Sequence, residues 1–345
     1  IESYGVALLG TPYRNLFAFA LLLAILVWKP NGLFGRKRAL PPEPLTGTFI
    51  APSKPWRVPR RLLVALFAAA VLLPLFDPSP YLLQTLTNAW LYAALALSLT
   101  LVAGTVGQIS LGHAGLLAIG AYASSLLVLD LHLPVGTGIV LAGILTSLIG
   151  TALIFPAFRL RGHYVSIATL GIGEIVALTI LNWESLTRGP IGVSGIPPLS
   201  LFGRDASSNG AIYWASFGAM VLLALLQWRL LGSHLGRTFR AVREDEVAAR
   251  AYGVSPDRYK ALAFGFGGFA AGVSGAFTAH MYSYINHETF GSQISILALT
   301  MVILGGLGNI SGALLGAVAL VSLPELFRVT CLLYTSDAAD DTPCV

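Results

Sequence analysis

The chain has 345 residues, 55% of them hydrophobic and only 11% charged, with a formal net charge of +5. Soluble domains carry about 25% charged residues, so the composition excludes an ordinary water-soluble globular protein. The basic residues sit in short clusters between long apolar runs, so the positive charge reads as a topology signal and not as a nucleic-acid footprint.

A membrane-crossing helix needs roughly 20 mostly apolar residues. Ten candidate spans follow in chain order: 13–28, 62–76, 82–103, 111–128, 136–157, 164–182, 211–231, 261–280, 293–307 and 312–327. The expected fold is therefore all-α, a polytopic membrane protein with about 9–10 transmembrane helices. The second, ninth and tenth spans are short, which predicts tilt, re-entry or extension by flanking residues. Between the first two lies a Pro-rich basic linker, 41–61, whose prolines at 41, 42, 44, 52, 55 and 59 disfavour helix. The N-terminus begins at Ile1 without a basic start, which predicts a fragment and not a signal peptide.

Lysine and arginine in the loops set the orientation. With the basic stretch 29–61 placed in the cytoplasm, alternation puts Arg159 and Arg161 inside. Arg237, Arg240, Arg243, Arg250, Arg258 and Lys260 of the loop 232–260 also fall inside. Loops 77–81, 129–135, 183–210 and 281–292 fall outside, and of these only 183–210 carries basic residues, Arg188 and Arg204.

Catalytic and metal signatures are missing. No Walker-type phosphate loop, H-E-x-x-H or nucleophile elbow occurs, and the histidines are scattered. The two cysteines, Cys331 and Cys344, lie near the C-terminus, outside any metal-ligand spacing. The chain is read as no enzyme, with no cofactor, no metal and no nucleic-acid partner of its own.

Glycines at four-residue spacing, Gly268 with Gly272 and Gly308 with Gly312 and Gly316, predict close helix contacts. The loop 232–260 contains a short helix signal. Ala248, Ala249 and Ala251 favour helix, Glu244, Asp245 and Glu246 suit its positive end, and Gly253 is a natural stop. Such a segment reads either as a docking element for another protein or as a solvated connector.

At these residues a family resemblance becomes specific. Val247-Ala-Ala-Arg-Ala-Tyr-Gly253 resembles the E-A-A-x-x-x-G loop by which ABC-importer permeases contact their ATPases, with Val247 where the family has an acid and the acid one place earlier at Glu246. Gly107-Gln-Ile-Ser-Leu-Gly-His-Ala-Gly115, Leu160-Arg-Gly-His-Tyr164, Gly189-Pro-Ile-Gly-Val-Ser-Gly-Ile-Pro197 and Gly305-Gly-Leu-Gly-Asn-Ile-Ser-Gly312 resemble branched-chain amino-acid ABC permeases of the Liv type, nearest their M subunit, and keep the family's order. The resemblance covers about 62–328; residues 1–40 resemble the closing helix of the sister H-type permease, and 329–345 is an atypical tail, read as truncated or non-native. It implies an importer subunit in the bacterial or archaeal inner membrane, embedded in lipid. It also implies a sister H-type permease, two cytoplasmic ATPase subunits that bind the ATP, and an extracellular or periplasmic binding protein landing on 183–210. Arg240, Arg243, Glu246, Ala248, Ala249 and Gly253 become the expected coupling residues.

Polar residues at membrane depth mark candidate pathways. Glu174 is the one acid near the middle of a span, and reads equally as a pathway residue or an interhelical hydrogen bond. Gln108, Ser110 and His113 sit in a glycine-rich junction between two spans. They read either as unwound lining of a path or as a cytoplasmic turn with Ser110 capping the next helix. An ion- or proton-coupled secondary transporter is the alternative reading, and it would be favoured by paired ionisable residues within the spans.

Overall fold

Long apolar segments without water have no hydrogen-bond partners except their own backbone, so they must form helices. The computed structural model describes residues 60–76, 79–160, 163–201, 204–205 and 208–337, together with residue 24. The expected span 13–28, apart from that one residue, and nearly all of the linker 41–61 lie outside the described residues. The expected outward loop 77–81 and basic loop 158–163 are described in part.

Among the described residues the chain runs α1 (Arg60–Leu72), α2 (Pro80–Leu99), α3 (His113–Leu129), α4 (Val135–Ile154) and α5 (His163–Asn182). It continues with the one-turn α6 (Glu184–Thr187), α7 (Asn209–Gly232), α8 (His234–Glu244), α9 (Glu246–Ala251), α10 (Pro256–Tyr282), α11 (Ser292–Gly305) and α12 (Ile310–Asp337). The nine expected spans from 62 onward correspond to α1, α2, α3, α4, α5, α7, α10, α11 and α12. Among the described residues, six segments are long and apolar enough to cross a membrane by themselves: Pro80–Thr105, Val135–Phe158, Tyr164–Asn182, Asn209–Gly232, Pro256–Tyr282 and His287–Gly305. Segments His113–Leu129 and Ile310–Glu325 are apolar but shorter. Two boundaries differ from expectation. Helix α10 starts at Pro256, because Pro at the first helical position needs no amide partner. Helix α12 carries Pro324 internally and runs on past 328 to Asp337.

Helices α2 and α10 form the buried centre. Helix α10 packs along α4, α3 and α2, while α2 also meets α7 and α12. Large apolar side chains such as Leu148, Leu222, Leu226 and Ile303 point outward from α4, α7 and α11, as a lipid-facing surface requires. The contact of α10 with its neighbours depends on glycine. A Cβ on Gly275 would lie 2.0 Å from the Leu117 carbonyl oxygen, one on Gly120 2.3 Å from the Gly272 carbonyl oxygen, and one on Gly272 2.5 Å from the Thr146 hydroxyl. The expected glycine contacts of α11 and α12 form as well, with Gly305 and Gly312 backbone to backbone and Gly316 against the Met301 carbonyl.

Alternation along the chain is visible in which loops meet. At one end, the α2–α3 junction touches α8 and the α11–α12 turn. At the other, the α5–α7 connection meets the turn after α10. There β1 (Val193–Ser194) pairs antiparallel with β4 (Tyr284–Ile285), and the Ile196 amide donates to the Ser283 carbonyl. His280 of α10 fixes this end by contacting the Ser124 hydroxyl and the Pro197 carbonyl, each at 2.8 Å. The long connection is therefore folded onto the bundle: β2 (Ser200–Leu201) and β3 (Arg204–Asp205) form a second small hairpin, and Val193, Ile196 and Leu199 are buried.

The glycine packing makes a direct prediction. Gly275→Ala forces α10 and α3 apart and is expected to destabilise the protein by about 1–3 kcal/mol. Gly218→Ala on α7, where nothing lies within 4 Å of the added methyl, should change stability by less than about 1 kcal/mol. Thermal unfolding in a single detergent distinguishes the two.

Candidate functional site

The loop 232–260 folds into a two-helix platform at the end of the bundle that gathers the basic residues. Helix α8 is amphipathic. Its Phe239 and Val242 are buried with Val106, Ala249 and Ala263, which anchors the platform to the α2–α3 junction and to α10. Asp245 breaks the helix in extended conformation and caps α9, its carboxylate accepting from the amides of Val247 at 2.7 Å and Ala248 at 3.0 Å. Gly253 closes α9 at φ +80°. Its amide donates to the Arg250 carbonyl and that of Val254 to the Ala249 carbonyl, both at 3.0 Å, the paired pattern of a left-handed helix stop.

Each expected coupling residue has a distinct place. Arg240 folds back on its own elbow, donating to the carbonyls of Gly236 and Leu231, each at 3.1 Å. Arg243 reaches the spans and donates to the Gly104 carbonyl. Glu246 forms a 2.5 Å ion pair with Lys260, whose side chain is 1% exposed, and so ties α9 to the start of α10. Ala249 is buried, whereas Ala248 faces out. Sequence reasoning missed the outward surface itself: Val247 is 67% and Tyr252 88% exposed on the two ends of α9. It also missed Lys260 as the partner of Glu246, since the two belong to separate helices and share no sequence spacing.

The second cluster lies directly under this platform. Helix α2 ends in a π-helical turn, Thr100–Thr105, a form that recurs at functional sites. Gly104 there sits so close to Gly308 that a Cβ would lie 2.3 Å from the Gly308 amide nitrogen. Gly107 follows at φ +75° against the Arg243 side chain. Gln108, Ser110 and His113 are all buried, and the His113 Nδ1 is 3.1 Å from the Ser110 hydroxyl. The expectation that Ser110 caps α3 is corrected: Gly112 is the cap residue and makes no side-chain cap bond. Ser110 accepts from the Gly112 amide at 3.3 Å, while one first-turn amide of α3 and the Leu111 amide before the cap are met from other helices. Ser295 of α11 accepts from Ala114 at 2.8 Å, and Thr169 of α5 accepts from Leu111 at 3.0 Å. The Gln108 Oε1 and the His113 Nε2 remain buried without a hydrogen-bond partner among the described residues. Glu174 is not drawn into this cluster. It is partly buried on α5, one residue past the close contact of Gly173 with Gly112 and Gly115.

A third feature was not read from the sequence at all. A cavity of about 430 Å³ opens between α2, α3, α10 and the turn before α11. Its floor is apolar, with Leu91, Leu95, Leu117 and Ile294, and its polar groups include Asn88, Tyr92, Ser274, Thr278 and Tyr282. None of Gln108, Ser110, His113 or Glu174 lines it. The only sequence signal was the run Ser274, Thr278, Tyr282, a polar stripe at four-residue spacing inside an apolar helix. Among the described residues no cluster of histidine, cysteine and carboxylate side chains could hold a metal.

Comparison with known proteins fits this arrangement. Residues 81–334 match the family model described as "Branched-chain amino acid transport system / permease component". The chain is 37% identical over 289 residues to the high-affinity branched-chain amino acid transport system permease protein LivM of Salmonella typhimurium, covering 77% of this chain and 68% of that protein. It is 37% identical over 292 residues to LivM of Escherichia coli K12, with the same coverage. It is also 30% identical over 248 residues to LivH of Salmonella typhimurium, covering 66% of this chain and 79% of the relative. No solved structure matches. The helical bundle, its apolar outer surface and these similarities converge: the chain is a multi-pass membrane protein and belongs to the permease components of branched-chain amino acid transport systems.

Proposed function

We propose that this chain is a membrane-spanning subunit of an ATP-driven importer for leucine, isoleucine and valine, or for related amino acids, amides or urea, in a bacterial or archaeal cytoplasmic membrane. A sister permease of the H type stands beside it, two ATPase subunits dock on the basic end, and a binding protein delivers substrate at the opposite end. In this reading the sequence of residues 1–40 corresponds to the end of such a sister permease, 41–61 joins the two units, and 62–328 is the M-type unit with its coupling loop 232–260.

The observation that carries this reading is the α8–α9 platform. A six-residue helix held by a side-chain cap, an ion pair, a glycine stop and an apolar anchor is rigid, yet it presents Val247, Ala248 and Tyr252 to the outside. Exposed apolar side chains on a fixed element are what a partner's groove requires. Arg243 supplies the mechanical link, because its bond to the Gly104 carbonyl joins the platform to the last turn of α2. Gln108, Ser110 and His113, packed beneath it, form the inner gate. Glu174 faces the water-accessible side of the pathway, since an acid at membrane depth needs water or a polar partner. On the opposite end, Trp183, Leu186 and Ile191 are exposed on the folded connection and form the landing surface for the binding protein.

Reconstitution with the ATPases, sister permease and binding protein from the same operon tests the assignment. Uptake of branched-chain amino acids should require ATP; uptake driven by an ion gradient without any ATPase would overturn it. Val247→Asp combined with Tyr252→Ala is expected to weaken ATPase association by about tenfold or more, as loss of exposed anchors at an interface commonly does, with the thermal stability of the permease unchanged. Gly253→Pro is expected to do the same by dismantling the helix stop. Gly253→Ala, which meets no neighbour within 4 Å, should cost only the left-handed strain of about 1–2 kcal/mol. Arg243→Met should leave the ATPases bound but lower the uptake obtained per ATP hydrolysed. Retained coupling in Arg243→Met would remove Arg243 from the transmission route.

A further inference from the structure

The 430 Å³ cavity between α2, α3 and α10 has the composition of a binding site and is distinct from the platform and the inner gate. Its size corresponds to roughly a dozen water molecules at about 30 Å³ each, which exceeds what a packing defect leaves. Its rim is the turn after α10, where Tyr282 and Tyr284 are partly exposed, so it opens on the same end of the bundle as the folded connection. None of its lining residues carries a carboxylate, an amine, a guanidinium or an imidazole.

The hydrogen bonds already made define what remains for a ligand. Tyr282 donates to the Asn88 Oδ1 at 2.9 Å, which leaves the Asn88 amide hydrogens free to donate. Tyr92 makes no hydrogen bond among the described residues, so its hydroxyl can donate as well. Ser274 donates to the Leu91 carbonyl at 2.8 Å and Thr278 to the Ser274 carbonyl at 2.9 Å. Their lone pairs, and that of the Tyr282 oxygen, are left to accept. Free donors and free acceptors therefore share one lining, where α2 and α10 meet, with Leu91, Leu95, Leu117 and Ile294 in the same wall. A carboxylate would meet the Asn88 and Tyr92 donors, an ammonium group the Ser274, Thr278 and Tyr282 acceptors, and a small aliphatic side chain the leucines. A ligand with net charge would enter a lining with no counter-charge, at high desolvation cost.

We propose that this cavity is a transit station within the membrane subunit for a small zwitterion of zero net charge with an aliphatic side chain. The station filters by charge independently of the binding protein. This rests on the importer reading in that it supplies the direction of passage, but ligand capture by the cavity can be measured without it.

The experiment uses the assembled transporter in liposomes, with Cys331→Ser and Cys344→Ser as background and Thr278→Cys as the reporter, modified by N-ethylmaleimide. Leucine at tenfold its Kd should slow modification about tenfold, because only the empty fraction reacts, while glutamate and lysine at the same concentration should not. Leu95→Trp, which fills the cavity, should lower leucine uptake about tenfold or more in transporter whose subunit assembly is checked by size-exclusion chromatography. Equal modification of Thr278→Cys with and without leucine, or equal protection by glutamate or lysine, would overturn the proposal. So would wild-type uptake in Leu95→Trp. Absence of ATP-dependent uptake in the unsubstituted transporter would instead sink the importer reading, and protection of Thr278→Cys by leucine alone would still support the station.

Discussion

The architecture depends on one constraint: in lipid, helices gain nothing by hiding apolar surface from each other, so they associate where their backbones can approach closely. Helix α10 meets α3 and α4 through Gly268, Gly272 and Gly275, answered by Gly120 and Gly143. The same device joins Gly104 to Gly308 and Gly305 to Gly312 at the basic end. Because these contacts are backbone to backbone, they fix helix positions to a tolerance of less than one methyl group. The cavity is held by that rigidity, since its α2, α3 and α10 walls are set by it.

The two ends of the molecule are built differently. At the basic end, side chains bond across elements: Arg243 to the Gly104 carbonyl, Glu246 to Lys260, Ser295 to the Ala114 amide of α3, and Thr169 to the Leu111 amide just before that helix. At the opposite end, short strands and His280 tether a long connection onto the bundle. Helix α2 runs between them. One of its faces carries Asn88, Leu91, Tyr92 and Leu95 on the cavity wall, and its last turn is the π-helical segment that receives Arg243. The α8–α9 platform and the cavity thus meet the same helix at different heights.

Glycine and serine interrupt nearly every junction, and each has a separate cause. Gly253 and Gly107 adopt positive φ, where a side chain would strain the backbone. Gly104 and Gly120 leave room for another backbone. Ser295 is buried in α11 because it completes the start of a helix nearly two hundred residues earlier in the chain. Polar side chains inside the bundle thus follow backbone groups that would otherwise be unsatisfied in lipid.

The sequence by itself determined the helices, their number beyond residue 60 and the alternation of their loops, because apolar length and basic clustering are local properties. It also determined α9, whose alanines, leading acids and stop at Gly253 are local signals, although which of the acids caps the helix, Asp245, was decided by the structure. The family was legible too, since motifs keep their order along the chain. Only the tertiary structure decided which polar groups meet. The Glu246–Lys260 pair, the bond of Ser295 to the Ala114 amide in the first turn of α3, and the separation of Glu174 from Gln108 and His113 all depend on how helices far apart in sequence are rotated against each other. The cavity was hidden for the same reason. Asn88 and Tyr92 on α2 are unremarked polar residues until α10 brings Ser274, Thr278 and Tyr282 opposite them, and the small residues at the helix contacts, not any local pattern, set that rotation.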